Sequence, residues 1–212
     1  MSKLKGTVLV TGANGGLGTA FVSQFLNAST PYFGLFTVRS LAGPSSNSLK
    51  NLVSSTNQPN AIMPVDLGNL ASVRAFANDV NEQVASSKIP KIRSLVLNAA
   101  AQETRRQTYT TDGLEMTFEV NYLANFLLVL LLLKSMDPDV GRIVIVSSFS
   151  HDPEYIWNAG YATDKLVFKK PEIMARPDTV DKPGDEYKAG MRRYGLSKTL
   201  ILMFMYSHNI HL

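Results

Sequence analysis

Val8-Leu9-Val10-Thr11-Gly12-Ala13-Asn14-Gly15-Gly16-Leu17-Gly18 is the stretch that decides the fold. Thr7 to Val10 are β-branched or apolar and predict a short buried strand. Glycines follow at G-x-x-x-G-x-G spacing, and residues 19–26 then carry apolar side chains at helical intervals. Strand, glycine turn and helix in that order leave backbone N–H groups free at a helix N-terminus, where the peptide dipoles also favour negative charge. Such a place holds a phosphate. Gly12 is expected to permit the sharp turn, Gly16 the close approach of a pyrophosphate, and Gly18 the tight contact between helix and strand. The spacing is not G-x-G-x-x-G, and no Gly-Lys-Ser/Thr follows as in a Walker loop. The same glycines would serve in a plain turn with no ligand, so the decision rests on what lies downstream.

Downstream, apolar strand-like runs alternate with helical patterns. Strands are expected at 35–38, 61–66, 94–98 and 142–148, with Pro64 marking the third strand as an edge strand. Residues 43–48 read as a polar loop and 49–54 as a short helix. Asn69 reads as the cap of a helix through Val84, and a long helix is expected from Asp112 to Met136, before Pro138. The rhythm βαβαβαβαβ predicts an α/β fold, a doubly wound parallel sheet with helices on both faces, in one domain. It breaks after Ser148. Residues 149–190, with Pro153, Pro171, Pro177 and Pro183, read as an inserted lobe, and Met191 to Tyr206 as an apolar helix. Tyr155, Trp157 and Tyr161 in the lobe suit either a substrate pocket or packing onto the body.

In open α/β sheets the ligand lies beyond the carboxyl ends of the strands. That rule gathers Thr11 to Gly18, Arg39, Asp66, Asn98 and Ser148 into one crevice. Arg39 stands where such folds often place an acid for a ribose 2′-hydroxyl, and a guanidinium there can grip a 2′-phosphate. NADP(H) is therefore expected over NAD(H).

A tyrosine four residues before a lysine shares a helix face with it. The ammonium favours the phenolate, and such a phenol can give a proton to a carbonyl oxygen or take one from an alcohol. A nearby serine hydroxyl can hold the same oxygen. Two such pairs occur, Tyr161 with Lys165 and Tyr194 with Lys198. A helix after Lys165 meets Pro171 at once, whereas Thr199 to Met205 can anchor a long buried helix after Lys198. Helix continuity selects Tyr194, with Tyr161 as the rival.

Thr11 to Gly18, Asp66-Leu67, Asn98-Ala99-Ala100, Asn121, Val146-Ser147-Ser148 and Tyr194-Gly195-Leu196-Ser197-Lys198 stand in the order seen in the short-chain dehydrogenase/reductase superfamily. The chain resembles that superfamily over nearly its whole length apart from the lobe. The resemblance implies a Rossmann-type fold, a nicotinamide cofactor and interconversion of a carbonyl and an alcohol. It implies Tyr194 as acid/base, Lys198 favouring the phenolate and holding the ribose, and Ser148, with Ser147 as alternative, orienting the substrate oxygen. Asn121 matches the asparagine that holds a water in the proton relay. The cofactor positions it implies are Gly12, Asn14, Gly16, Leu17, Gly18, Arg39, Asp66, Leu67, Asn98, Ala99, Tyr194 and Lys198. The long interval between Ser148 and Tyr194 looks like carbonyl reductases, retinol dehydrogenases and protochlorophyllide reductases, whose members with such inserts are often monomers. Two departures stand out. The middle motif reads Asn98-Ala99-Ala100-Ala101 where the family usually has a glycine, and the two strands and substrate loop expected past the Tyr/Lys helix are not reached. A truncated nucleotide-binding homologue of weak activity is the alternative reading, and a pure interaction module a third.

Bulk properties agree. The sequence has 212 residues, net charge +4 without a basic stripe, and no cysteine, so neither nucleic acid nor thiolate metal sites are expected. His151, His208 and His211 lack metal-ligand spacing. The apolar run 126–133 is short of a membrane span, and a cytoplasmic protein acting on a small molecule is expected.

Overall fold

The computed structural model describes residues 4–152, 154–158, 171–177 and 184–207. Five parallel strands, β1 (Thr7–Val10), β2 (Phe33–Val38), β3 (Asn60–Pro64), β4 (Ile92–Leu97) and β5 (Arg142–Ile145), form one sheet in the order β3-β2-β1-β4-β5. The order reverses at β1, so β1 and β4 splay their following loops apart and open a crevice between them. Pro64 ends β3 on the sheet's edge, where a missing N–H costs no ladder bond.

Helices α1 (Gly16–Leu26) and α2 (Pro44–Ser54) cover one face, with Val22, Phe25, Leu49 and Val53 packed on Val10, Phe36 and Val38. Helices α3 (Leu70–Ala85) and α5 (Ala124–Leu132) cover the other, where Val73, Phe76, Val80, Leu128 and Leu132 bury Leu9, Leu35 and Leu95. Burial on both faces explains why these strands read as continuous apolar runs. Asn69 caps α3, its side-chain oxygen accepting from the Ser72 N–H at 3.0 Å.

Three elements differ from the sequence expectation. Residues 44–48 are helical, because Pro44 occupies the first helical position after Gly43, whose φ of 101° few other residues tolerate. The long helix does not begin at Asp112. Residues 109–115 fold back as a turn, with Gly113 at φ 71° and Tyr109 bridged to Glu115. Helix α4 (Met116–Phe118) starts only where the Glu115 carboxylate accepts from the Phe118 N–H. A π-helical turn, Glu119–Leu123, then leads into α5, and a 3-10 turn, Leu133–Ser135, ends it. Finally, the last helix begins earlier than expected, as α7 (Glu186–Ser207).

Met116–Ser135 is long and apolar enough to cross a membrane, with mean hydropathy 1.8. Half of it is buried inside this fold, as a core helix is. In the segment after β5, 3-10 turns Phe149–His151 and Ile156–Asn158 and the short helix α6 (Pro171–Ala175) are seen. The rival pair Tyr161 and Lys165, and also His208 and His211, lie outside the described residues.

Candidate active site

The glycine turn takes the form its spacing requires. Gly12 has φ 63°, and a β-carbon there would lie 2.9 Å from the Ala99 backbone. A β-carbon on Gly18 would lie 2.2 Å from the Gly12 carbonyl oxygen, so only glycine lets α1 start this close to β1. At Gly16 nothing lies within 4 Å, which leaves that side of the turn open for a ligand. The N-terminus of α1 has no side-chain cap and no acid in its first turn. Its first N–H groups are thus available to an anion.

This turn forms one wall of a cleft of about 720 Å³ along the strand tips. Gly12, Asn14, Gly16, Leu17, Gly18, Arg39, Asp66, Leu67, Asn98 and Ala99 all line it. Leu17 is 61% exposed, an apolar side chain held out over the cleft. Arg39 is exposed just past β2, beside Ser40. Thr37, also on the wall, has a buried hydroxyl with no hydrogen-bond partner. Asn14 donates to Ser45 Oγ at 3.1 Å and Ser46 Oγ at 3.2 Å, tying the turn to the start of α2. Asp66 is fixed by its own turn, its carboxylate accepting from the Gly68 N–H at 2.9 Å. Asn98 joins the two central strand ends, donating to the carbonyls of Thr11 at 2.9 Å and Gly12 at 3.2 Å. Thr11 Oγ1 returns the contact, accepting from the N–H groups of Asn98 and Ala99 at 3.0 Å each.

Ser148, Tyr194 and Lys198 are not among the residues that line the cleft. Asn121, 2% exposed, is the bridge. Its Oδ1 accepts from the Ala101 N–H at 2.7 Å, while Nδ2 donates to the Ala101 carbonyl at 2.9 Å and to Ser197 Oγ at 3.0 Å. The side chain is committed to protein partners. It joins the cleft's end to α7 at the residue before Lys198. The π-helical turn around Asn121 is the kind of irregularity found at functional sites.

Helix α7 in turn packs against the segment that carries Ser148. A β-carbon on Gly195 would stand 2.5 Å from the Ser150 carbonyl oxygen, and Thr199 Oγ1 donates to the His151 carbonyl at 3.0 Å. Ser148 caps the turn at 149–151, its Oγ accepting from the Ser150 N–H at 3.2 Å. Ser147 Oγ reaches only the Lys198 carbonyl, at 3.5 Å. Lys198 is 4% exposed, and its ammonium donates to the Val146 carbonyl at 3.0 Å and lies 5.6 Å from the centre of the Tyr194 ring. Burial pushes the Lys198 ammonium below its usual range.

The structure also adds residues that motif spacing missed. Tyr109, Thr110, Thr111, Met116 and Val120 close the far side of the cleft. The only sequence signal for them was Asp112-Gly113, a turn dipeptide. No group of three or more His, Cys, Asp or Glu side chains suited to a metal ion occurs among the described residues.

Comparison with known proteins bears on the family and the fold. The family model for short chain dehydrogenase matches residues 6–170. The chain is 40% identical over 232 aligned positions to the short-chain dehydrogenase iccH of Talaromyces variabilis, covering 94% of this chain and 63% of that protein. It is 35% identical to retinol dehydrogenase 14 of Mus musculus, covering 67% of this chain and 43% of that one. The chain thus spans less than two thirds of the length of these relatives. Among solved structures, NADPH-bound carbonyl reductase from chicken fatty liver superposes with a TM-score of 0.66 at 22% identity, covering 95% of this chain and 71% of that one.

Proposed function

This chain belongs to the short-chain dehydrogenase family, and from that membership we propose that it is an NADP(H)-dependent oxidoreductase interconverting a carbonyl and an alcohol, with Tyr194 as the acid/base. The observation that carries the reading is the junction at Gly195. There the helix bearing Tyr194 and Lys198 presses on the turn bearing Ser148.

A dinucleotide fits the residues present. The uncapped start of α1 and the open side at Gly16 belong to the turn that walls the cleft. Gly12 to Gly18 would hold the pyrophosphate, Asp66 and Leu67 the adenine end, Ala99 the middle, and Arg39 the 2′-phosphate. When bound, the nicotinamide supplies the hydride. The protein's part is to position and to move the proton. Tyr194 donates its phenolic proton to the carbonyl oxygen during reduction and recovers it from the alcohol in the reverse sense. Ser148 donates a hydrogen bond to that same oxygen and fixes its place. Lys198, buried and anchored on Val146, holds its ammonium against the face of the Tyr194 ring. Asn121 keeps helix and cleft in register.

The test pairs binding with turnover. NADPH fluorescence titration should give saturable binding to the wild-type chain and to Tyr194→Phe alike, while Tyr194→Phe loses reduction of an aldehyde, ketone and quinone panel. Saturable binding with no turnover in the wild type would instead favour the weak or inactive nucleotide-binding homologue.

A further inference from the structure

We propose that Glu115 is a positioning residue for the acid/base helix, acting through Arg193; this rests on the reading of Tyr194 above. Arg193 immediately precedes Tyr194, and its Nε lies 3.3 Å from Glu115 Oε1. Both side chains are largely shielded from water, at 14% and 2% exposure, so the pair is not a solvated surface contact. Burial pushes the Glu115 carboxyl up from its usual range, and the Phe118 N–H and Arg193 pull it back.

Glu115 is also where three segments meet. Its Oε2 caps α4, accepting from the Phe118 N–H at 2.7 Å. Its own N–H donates to the Ala175 carbonyl of α6 at 2.8 Å, tying in the segment between Ser148 and α7. Arg193 Nη2 donates to the carbonyls of Glu103 and Arg106, at 3.4 Å each, in the loop that continues from the cleft's end. At Gly190 that loop presses on α7 so closely that a β-carbon would lie 2.3 Å from the Glu103 carbonyl oxygen. The first turns of α7 are thus held by a close backbone contact at Gly190 and, through Arg193, by the Glu115 carboxylate and two loop carbonyls. Loss of the Glu115 charge removes one of the contacts that hold Arg193, and with it part of what fixes the helix face that carries Tyr194. A misplacement of about 1 Å at reacting atoms costs roughly 10²-fold in rate.

Glu115→Gln separates the two jobs of the side chain, because the amide oxygen still caps α4 while the charge is lost. The variant should bind NADPH within about twofold of wild type and keep KM, yet lose roughly tenfold or more in kcat. Loss of the shielded charge partner of Arg193 will also lower the thermal midpoint. The double variant Glu115→Gln/Arg193→Met removes the guanidinium charge as well. Positioning predicts that its thermal midpoint recovers while kcat stays low. Recovery of kcat together with stability, or full kcat in Glu115→Gln beside an inactive Tyr194→Phe, overturns this proposal alone. Turnover retained in Tyr194→Phe, or absent from the wild type, overturns the reading of Tyr194 and this proposal with it.

Discussion

Gly18 has no room for a side chain, because its β-carbon would sit 2.2 Å from the Gly12 carbonyl oxygen, whereas Gly16, two residues earlier, has nothing within 4 Å. The two glycines should therefore fail differently. Gly18→Ala should lower stability by about 1–3 kcal/mol through overpacking against backbone. Gly16→Ala should leave the unfolding midpoint near wild type and weaken NADPH binding, since its methyl group fills the ligand's side of the turn. Urea unfolding and fluorescence titration of both variants separate the effects.

Arg39 is exposed at the cleft edge, at the end of β2. Charge-assisted hydrogen bonds contribute about 1.5–3 kcal/mol, and each 1.4 kcal/mol is roughly tenfold in affinity. Arg39→Asp should accordingly shift the NADPH-to-NADH affinity ratio by about 10- to 100-fold and invert any preference for NADPH. Side-by-side titration with the two nucleotides measures it. An unchanged ratio would leave the 2′-phosphate assignment without support.

Asn121 saturates two backbone groups of Ala101 as well as Ser197 Oγ. Ser197→Ala removes one bond and should cost about 1 kcal/mol. Asn121→Leu strands the donor and acceptor of Ala101 in a shielded place and should cost several times as much, about 2–4 kcal/mol, read from urea midpoints.

Glu119 is fully buried and accepts from Thr110 Oγ1. Burial pushes its carboxyl from 4.5 up to about 7, with the Thr110 contact opposing and Asp112 and Asp66 adding to the rise. A carboxyl raised on folding binds its proton more tightly in the native state, so its contribution is present below about pH 4.5 and lost as pH rises through about 7. Glu119→Gln keeps an acceptor for Thr110 and cannot ionise. Its thermal midpoint should match wild type near pH 4 and exceed it by several degrees at pH 8, because a carboxyl shifted from 4.5 to about 7 loses roughly 3 kcal/mol over that range. Parallel melting curves across that range decide it.

The reading from sequence succeeded where local chemistry sufficed. Val8 to Gly18 signals its turn through glycines that backbone geometry demands, and Asn69 signals a cap through its own side chain. The strand-tip residues from Gly12 to Ala99 share one cleft, because strand ends are placed by topology alone. Residues 44–48 deceived by composition: serines favour turns, yet Pro44 starts a helix as readily as it ends one. The start of the long helix was misread because its apolar content hid the reversal at Gly113. Glu115 with Arg193 could not be found by any motif, since 78 positions of sequence separate two residues that only tertiary packing joins.

The strand order has a consequence for how the protein is made. Strands β1, β2 and β3 are neighbours in both sequence and space, and the hydrophobic cluster over them draws nearly all its members from residues 10–53, with Val96 the late arrival. One face of that half can be covered while the ribosome is still adding the remainder, whereas Leu9 and Leu35 on the other face wait for α5, and β4 docks on β1 in between. During that interval the inner edge of β1 stands uncovered, and it is there that a stalled or slowly translated chain is most exposed to sticking to its neighbours.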